Sequence, residues 1–167
     1  MSGWLGRLWA PWRTEYIRAF PEQKRIGCFI CAARRARNKR SHFVLERTRE
    51  AIVLMNLYPY NPGHLLIAPV LHVADLSELT STSLAELMTL SKKWVEILRK
   101  MMRPDGFNLG INIGESAGAG LPEHIHVHIV PRWVGDTSFM SVVSGTKVVS
   151  MSMESVYSLL SSAAAER

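Results

Sequence analysis

The 167-residue chain has very little cysteine: two residues, Cys28 and Cys31, both inside the run GCFIC. One close pair cannot staple a fold, so the core must rest on apolar packing. Long apolar runs are missing as well. No stretch reaches the roughly 18–20 apolar residues of a membrane span, and no membrane partner is expected. The opening MSGWLGRLWAPWRTEYIRAF lacks the continuous apolar segment of a secretory signal, being broken by Arg7, Pro11 and Arg13. The expected compartment is therefore the cytoplasm. Internal repeats and linker-like segments are also absent, and the length suits one domain with a real core. The expected division is an N-terminal arm over 1–22 and a single domain over 23–167. In the arm, Trp4, Trp9 and Trp12 need burial against the body or another subunit.

Acidic residues are missing from one region. Lys24, Arg25, Arg34, Arg35, Arg37, Lys39 and Arg40 follow one another with no Asp or Glu among them, within a chain of formal charge +6 and pI about 9.7. Such a cluster attracts nucleotides, polyphosphates or nucleic acid. A solvated basic helix face is the simpler and favoured reading, and nucleic acid is not the expected partner. The C-x-x-C pair reads as half a metal site or as a redox dithiol. It follows RIG near the N-terminus, with no preceding β-α pattern, so zinc is the favoured reading.

What the chain does have is periodicity. FVLER at 43–47, AIVLMNL at 51–57 and HLLIAP at 64–69 read as strands, with Pro59, Asn61, Pro62 and Gly63 supplying a turn. From Leu84 to Met102 apolar residues recur at helical spacing, opened by a Ser83–Glu86 capping box and stopped by Pro104 and Gly106. The Met and Trp stripe of this helix, Met88 and Trp94 included, reads as core. FNLGINI at 107–113 reads as a strand, GESAGAGLPE as a glycine-rich loop, SFMSVV and TKVVSM as a final hairpin, and 154–164 as a C-terminal helix. The basic segment 32–40 is rich in helix formers. The fold class is α+β on an antiparallel sheet, with one long helix and one C-terminal helix.

The most informative stretch is EHIHVHIVPRW. Three of six histidines, His124, His126 and His128, alternate with Ile125, Val127 and Ile129. In a strand, alternate residues share a face about 6.6–6.8 Å apart. The imidazoles then line one face over ~13 Å while the aliphatic residues enter the core. Two uses compete. A pair of histidines could hold a catalytic metal, which needs further ligands and an open position; Glu115 and Glu123 are the nearest acids, and no H-E-x-x-H signature exists. Alternatively one histidine is a nucleophile toward phosphorus, its neighbours orienting the ring and setting its tautomer. The glycine-rich loop could bring backbone N–H groups to phosphate oxygens, and Arg132 adds a possible positive charge.

HIHVHIV resembles the signature of the histidine-triad (HIT) family of nucleotidyl hydrolases and transferases. NLYPYNPGHLLIAP is similar to that family's nucleoside-binding strand pair, FNLGINIGESAGAG to its phosphate-binding loop, and GCFIC to the cysteine pair of its zinc-bearing branch. RLWAPWR and RWVGDTSFM resemble the bacterial branch acting on diadenosine polyphosphates. The likeness runs over residues 7–150. It implies a HIT-like fold, usually dimeric, and cleavage of dinucleoside polyphosphates such as diadenosine tetraphosphate at the α-phosphate through a nucleotidyl-histidine. By position it implies His126 as nucleophile, with His128 supporting it and hydrogen-bonded to His64. Asn56 would meet the ribose; Asn112 and the backbone of Gly118, Ala119 and Gly120 would meet the phosphates. It implies a structural zinc on Cys28, Cys31, His72 and His124, although His72 alone could be a plain surface histidine. Magnesium is expected only as a companion of the polyphosphate. The implied partners are adenine nucleotides and a second copy of the chain, in a homodimer. Many members read Ala-Gly-Gln before the triad; this chain reads Ala117, Gly118, Ala119, Gly120, one residue longer and without glutamine. The second acceptor, water or inorganic phosphate, stays open. So do a nucleoside phosphoramidase and a nucleotide-binding regulatory module with little turnover.

Overall fold

The structure is a computed structural model and describes residues 27–136 and 151–165. The tryptophan arm, Lys24, Arg25 and most of the final hairpin expected around Ser144 lie outside the described residues. The described part opens with α1 (Phe29–Arg35), then β1 (Val44–Arg47), β2 (Ala51–Met55) and β3 (Leu65–Pro69). The long helix α2 (Ser81–Met102), β4 (Gly106–Ile111), β5 (Val127–Arg132) and the C-terminal helix α3 (Met153–Ala165) follow. The five strands form one antiparallel sheet in the order β1-β2-β3-β5-β4. The α+β class is as expected, and so is the order of the described strands and helices, the final hairpin lying outside them. Among the described residues no helix is long and apolar enough to cross a membrane.

Strands β2 and β3 are buried along their whole length because both faces are covered. On one face Val53, Met55, Leu65, Ile67, Val127 and Ile129 pack against Leu87, Trp94 and Leu98 of α2 and Val156 and Leu160 of α3. On the other, Ile52, Leu54, Leu66 and Ala68 meet Ile30 and Ala33 of α1, and Leu121. Alternation along each strand divides the two sets. The Trp94 ring is fully buried, and its Nε1–H reaches Glu46 Oε2 at 2.8 Å, so its polar edge is satisfied inside the core.

Four local expectations need correction. The basic helix over 32–40 is shorter: α1 ends at Arg35, and Arg47 donates to the carbonyls of Ala33 and Ala36 at its C-terminal end. The α2 cap is Thr80, whose Oγ1 accepts the Ser83 N–H at 3.1 Å. The Ser83 hydroxyl instead donates to Glu50 Oε2, and a capping box occurs earlier, at Asp75 and Glu78. Met88 is 59% exposed, outside the core stripe. Finally, β5 begins at Val127, so only His128 of the three histidines lies in the ladder. The segment before it leaves the sheet because its polar groups bond elsewhere: Ile125 N–H goes to the Val73 carbonyl and the His124 ring to the Pro69 carbonyl.

Candidate functional site

Two clusters of side chains meet at residues 124–128. The first gathers Cys28, Cys31, His72 and His124, whose ligating atoms all lie within 4.8 Å of one another. Cys28 comes from the N-cap of α1 and Cys31 from its first turn; His72 follows β3. The Cys28 Sγ–His124 Nδ1 distance is 3.2 Å, Cys31 Sγ–His72 Nδ1 3.4 Å, Cys31 Sγ–His124 Nδ1 3.6 Å and His72 Nδ1–His124 Nδ1 3.2 Å. A tetrahedral ion with Zn–S near 2.3 Å and Zn–N near 2.0–2.1 Å needs edges of about 3.3–3.8 Å. The donor set fits. His124 is also in the correct tautomer: its Nε2 lies 2.9 Å from the Pro69 carbonyl, so Nε2 carries the proton and Nδ1 faces the cluster with a lone pair. Burial pushes the Cys28 thiol up to about 11 and the His124 imidazolium down to about 4. Both shifts describe the protein without an ion, and a bound dication would favour the thiolate. The magnesium expectation gains no support from the described residues, where this is the one metal-competent cluster.

The second cluster is His126, His128 and His64. His126 is buried, and its ring meets that of His128 edge to face at 4.7 Å. Register puts His128 opposite Leu66 of β3 and Gly110 of β4. His64 ends the turn between β2 and β3, and Gly63, at φ +76°, makes that turn possible. Burial, with smaller repulsion from neighbouring imidazoles, brings His64 down to about 3 and His128 to about 4. Burial also lowers His126, against a raising contribution from the His124 carbonyl. At neutral pH His64 and His128 are uncharged, each with a single ring proton.

Hydrogen bonds assign those protons. The Tyr60 N–H lies 3.1 Å from His64 Nδ1, which must accept. His64 therefore carries its proton on Nε2 and donates to His128 Nδ1 at 3.0 Å. His128 in turn must carry its proton on Nε2, and that atom is buried with no partner among the described residues. An unpartnered buried donor costs about 1–3 kcal/mol, which a ligand acceptor would recover. His126 is set oppositely. Its Nδ1 donates to the His124 carbonyl at 2.7 Å, leaving Nε2 with the lone pair. Adjacent rings thus present one nucleophilic nitrogen and one N–H donor, a pairing suited to attack at an atom that carries an anionic oxygen.

The remaining residues named from the sequence fall around these clusters. Asn56 follows β2; its Oδ1 accepts the Tyr58 N–H at 3.0 Å and its Nδ2 faces His64 Nδ1 at 3.3 Å. Asn112 is half-buried, one residue past β4. Gly118 sits at φ +81° closing a one-turn 3-10 helix over Glu115–Ala117, and its N–H is committed to the Glu115 carbonyl. Ala119 is buried and Gly120 half-buried. Arg132 does not lend its charge to the histidines: it binds Asp136 through Nε at 2.6 Å and Asn108 through Nη1 at 2.7 Å. Two residues at the site escaped the sequence reading. Asn61 was legible only as a turn former, and Asp136 only by its spacing of four from Arg132.

The family model described as the HIT domain matches residues 36–134. The chain is a member of the HIT family. The HIT chain is 39% identical over 150 residues to a protein of Mycobacterium tuberculosis named AP-4-A phosphorylase, covering 87% of this chain and 77% of that one. A Schizosaccharomyces pombe bis(5'-nucleosyl)-tetraphosphatase [asymmetrical] is 38% identical over 95 residues, 57% of this chain and 52% of that one. Among solved structures, a Zn-bound histidine triad family protein from Mycobacterium smegmatis superposes with TM-score 0.67 at 26% identity, covering 84% of this chain and 95% of that one. The HIT fold, with its five-stranded antiparallel sheet and the Cys28, Cys31, His72, His124 cluster, agrees with this kinship.

Proposed function

We propose that this HIT protein cleaves dinucleoside polyphosphates by nucleotidyl transfer through His126, with diadenosine tetraphosphate as reference substrate and inorganic phosphate as final acceptor. The observation that carries the reading is the opposed tautomers of the two adjacent rings. His126 Nε2 attacks the α-phosphorus. The bond to the bridging oxygen breaks, and that oxygen leaves with its electron pair as part of ATP. The His128 Nε2–H hydrogen-bonds a non-bridging oxygen, whose charge it meets better as the centre becomes pentavalent. The product on the enzyme is an adenylyl group joined to His126 by a P–N bond. A phosphate oxygen then attacks from the side ATP vacated, releasing ADP and restoring the imidazole. Asn56 is read as a ribose contact, and Asn112 with the Ala119–Gly120 backbone as phosphate contacts; the Gly118 N–H, held by the Glu115 carbonyl, drops out of that set. The choice of phosphate over water follows the M. tuberculosis relative, whose name is a phosphorylase and whose match covers most of the chain.

Zinc is read as the ion of the Cys28, Cys31, His72, His124 cluster. When bound, it would supply a closed structural crosslink joining α1 to the segments after β3 and before β5. A homodimer is also proposed. Strand β4 pairs only with β5 in the described sheet and exposes Leu109 and, just beyond it, Ile113. Such an edge is a natural pairing surface. The cytoplasm is the proposed compartment.

The test is product analysis with diadenosine tetraphosphate, with and without phosphate. ADP plus ATP supports the reading; AMP plus ATP moves the acceptor to water; cleavage confined to phosphoramidates removes the substrate class. A rapid quench with α-labelled substrate should leave label on wild-type protein and none on His126→Ala. Light scattering at micromolar concentration should report a dimer.

A further inference from the structure

The donor on His128 is only as reliable as the turn that sets it. His64 Nδ1 accepts from the Tyr60 N–H, with the Asn56 amide also facing it, so both donors belong to residues 56–64. If they withdraw, His64 is free to move its proton to Nδ1. Its Nε2 would then accept from His128 Nδ1, and His128 would turn a lone pair, not a proton, toward the incoming phosphate. The polarity of the site would invert without any residue of the triad being changed.

One buried side chain holds the turn against this. Asn61 is 1% exposed, and its Nδ2 donates to the Pro131 carbonyl and to Asp136 Oδ2, both at 2.7 Å. Its own backbone carbonyl accepts the His64 N–H at 3.1 Å. Asp136 is itself fixed by Arg132 Nε at 2.6 Å, Arg132 Nη2 at 2.9 Å and the Trp133 N–H at 3.3 Å. The far end of β5 therefore grips the β2–β3 turn, and the turn grips His64. Asn61 suits this role. Its primary amide spans two acceptors at once, and its burial leaves no water to replace them.

We propose that Asn61 and Asp136 are positioning residues that fix the tautomers of His64 and His128, and thereby keep a hydrogen-bond donor on the His128 nitrogen that faces substrate. The inference deepens the proposed function and, for its consequence in turnover, rests on that reading. The tautomers themselves do not, because they exist in the free protein. The Asp136 carboxyl, held well below the usual range by Arg132 and Asn61, remains an acceptor at neutral pH.

The experiment is histidine-ring 1H–15N correlation NMR on the full-length protein at neutral pH, together with steady-state kinetics. In the wild type His64 and His128 should both show the Nε2–H pattern. Asn61→Ala should convert His64 to a mixture of tautomers and lower kcat by roughly tenfold or more, with KM within about twofold, since the lost donor acts on the transition state. Should Asn61→Ala fail to fold, Asp136→Ala leaves the Asn61–Pro131 bond and should give a smaller change in the same direction. An Nδ1–H pattern for His64 in the wild type overturns the proposal, as does a folded variant with unchanged tautomers. Altered tautomers with unchanged turnover would uphold the clamp and sink the role assigned to His128 instead.

Discussion

Replacing Gly63 by alanine tests whether the β2–β3 turn is as constrained as its geometry implies. Gly63 has φ +76°, and an added Cβ would lie 2.7 Å from Met102 Sδ and 3.1 Å from Leu98 Cδ2. The left-handed backbone costs an L-residue about 1–2 kcal/mol. The overlap adds about 1–3 kcal/mol, weighted to the low end because the thioether can swing aside, whereas Leu98 is fully buried and cannot. Reduced freedom of the unfolded chain returns about 0.4–1 kcal/mol. The net loss is therefore about 2–3 kcal/mol, read as a lower urea midpoint at unchanged slope. Because His64 is the next residue, kcat should fall as well. Repeating the substitution in a Met102→Ala background should recover the thioether's share of the overlap and leave the backbone cost less the unfolded-chain return, about 1 kcal/mol, plus the share due to Leu98. A Gly63→Ala protein within about 0.5 kcal/mol of the wild type would refute the reasoning, a range typical of uninvolved surface positions. Complete rescue by Met102→Ala would refute the backbone part alone.

Two further outcomes follow from the same geometry. Cys28→Ser should lose zinc by elemental analysis and lower the thermal midpoint, with turnover falling only as far as stability does; full zinc retention would remove Cys28 from the ligand set. Acidification should destabilise the fold through His64 and His128, whose folded values of about 3 and about 4 lie below the unfolded 6.5. The unfolded chain then binds more protons, so the stability present above about pH 6.5 is lost as pH falls toward the folded values, about 2 kcal/mol per histidine by pH 5 and less than additive for the touching pair. His128→Asn should flatten that slope in urea titrations between pH 7.5 and 5; an unchanged slope would mean His128 is not one of the groups responsible.

Where side chains obey a simple period, the sequence is easily read. Strands β2 and β3 show as apolar runs, and α2 as a 3.6-residue repeat around Trp94 and Leu98, because burial on fixed faces imposes those spacings. Half of the metal cluster shows because C-x-x-C spacing is itself coordination chemistry; His72 and His124 are named only through the resemblance to the HIT family. The limits are equally physical. Ser83 fits a cap pattern, but Glu50, remote in sequence, takes its hydroxyl. His124 and His126 alternate like a strand, yet the Val73 and Pro69 carbonyls draw that segment off the ladder. An asparagine within YPYNPG looks like any turn asparagine, and only the folded chain brings it to Asp136, 75 residues away.

His124 serves two masters with different parts of itself. Its imidazole belongs to the Cys2His2 cluster, while its main-chain oxygen accepts the hydrogen bond from His126 Nδ1–H. A carbonyl is available from every amino acid, an imidazole from one. Exchange of this residue for a non-ligand therefore separates the two duties. The ion should go, and the lone pair on His126 should stay aimed for as long as the backbone holds its course.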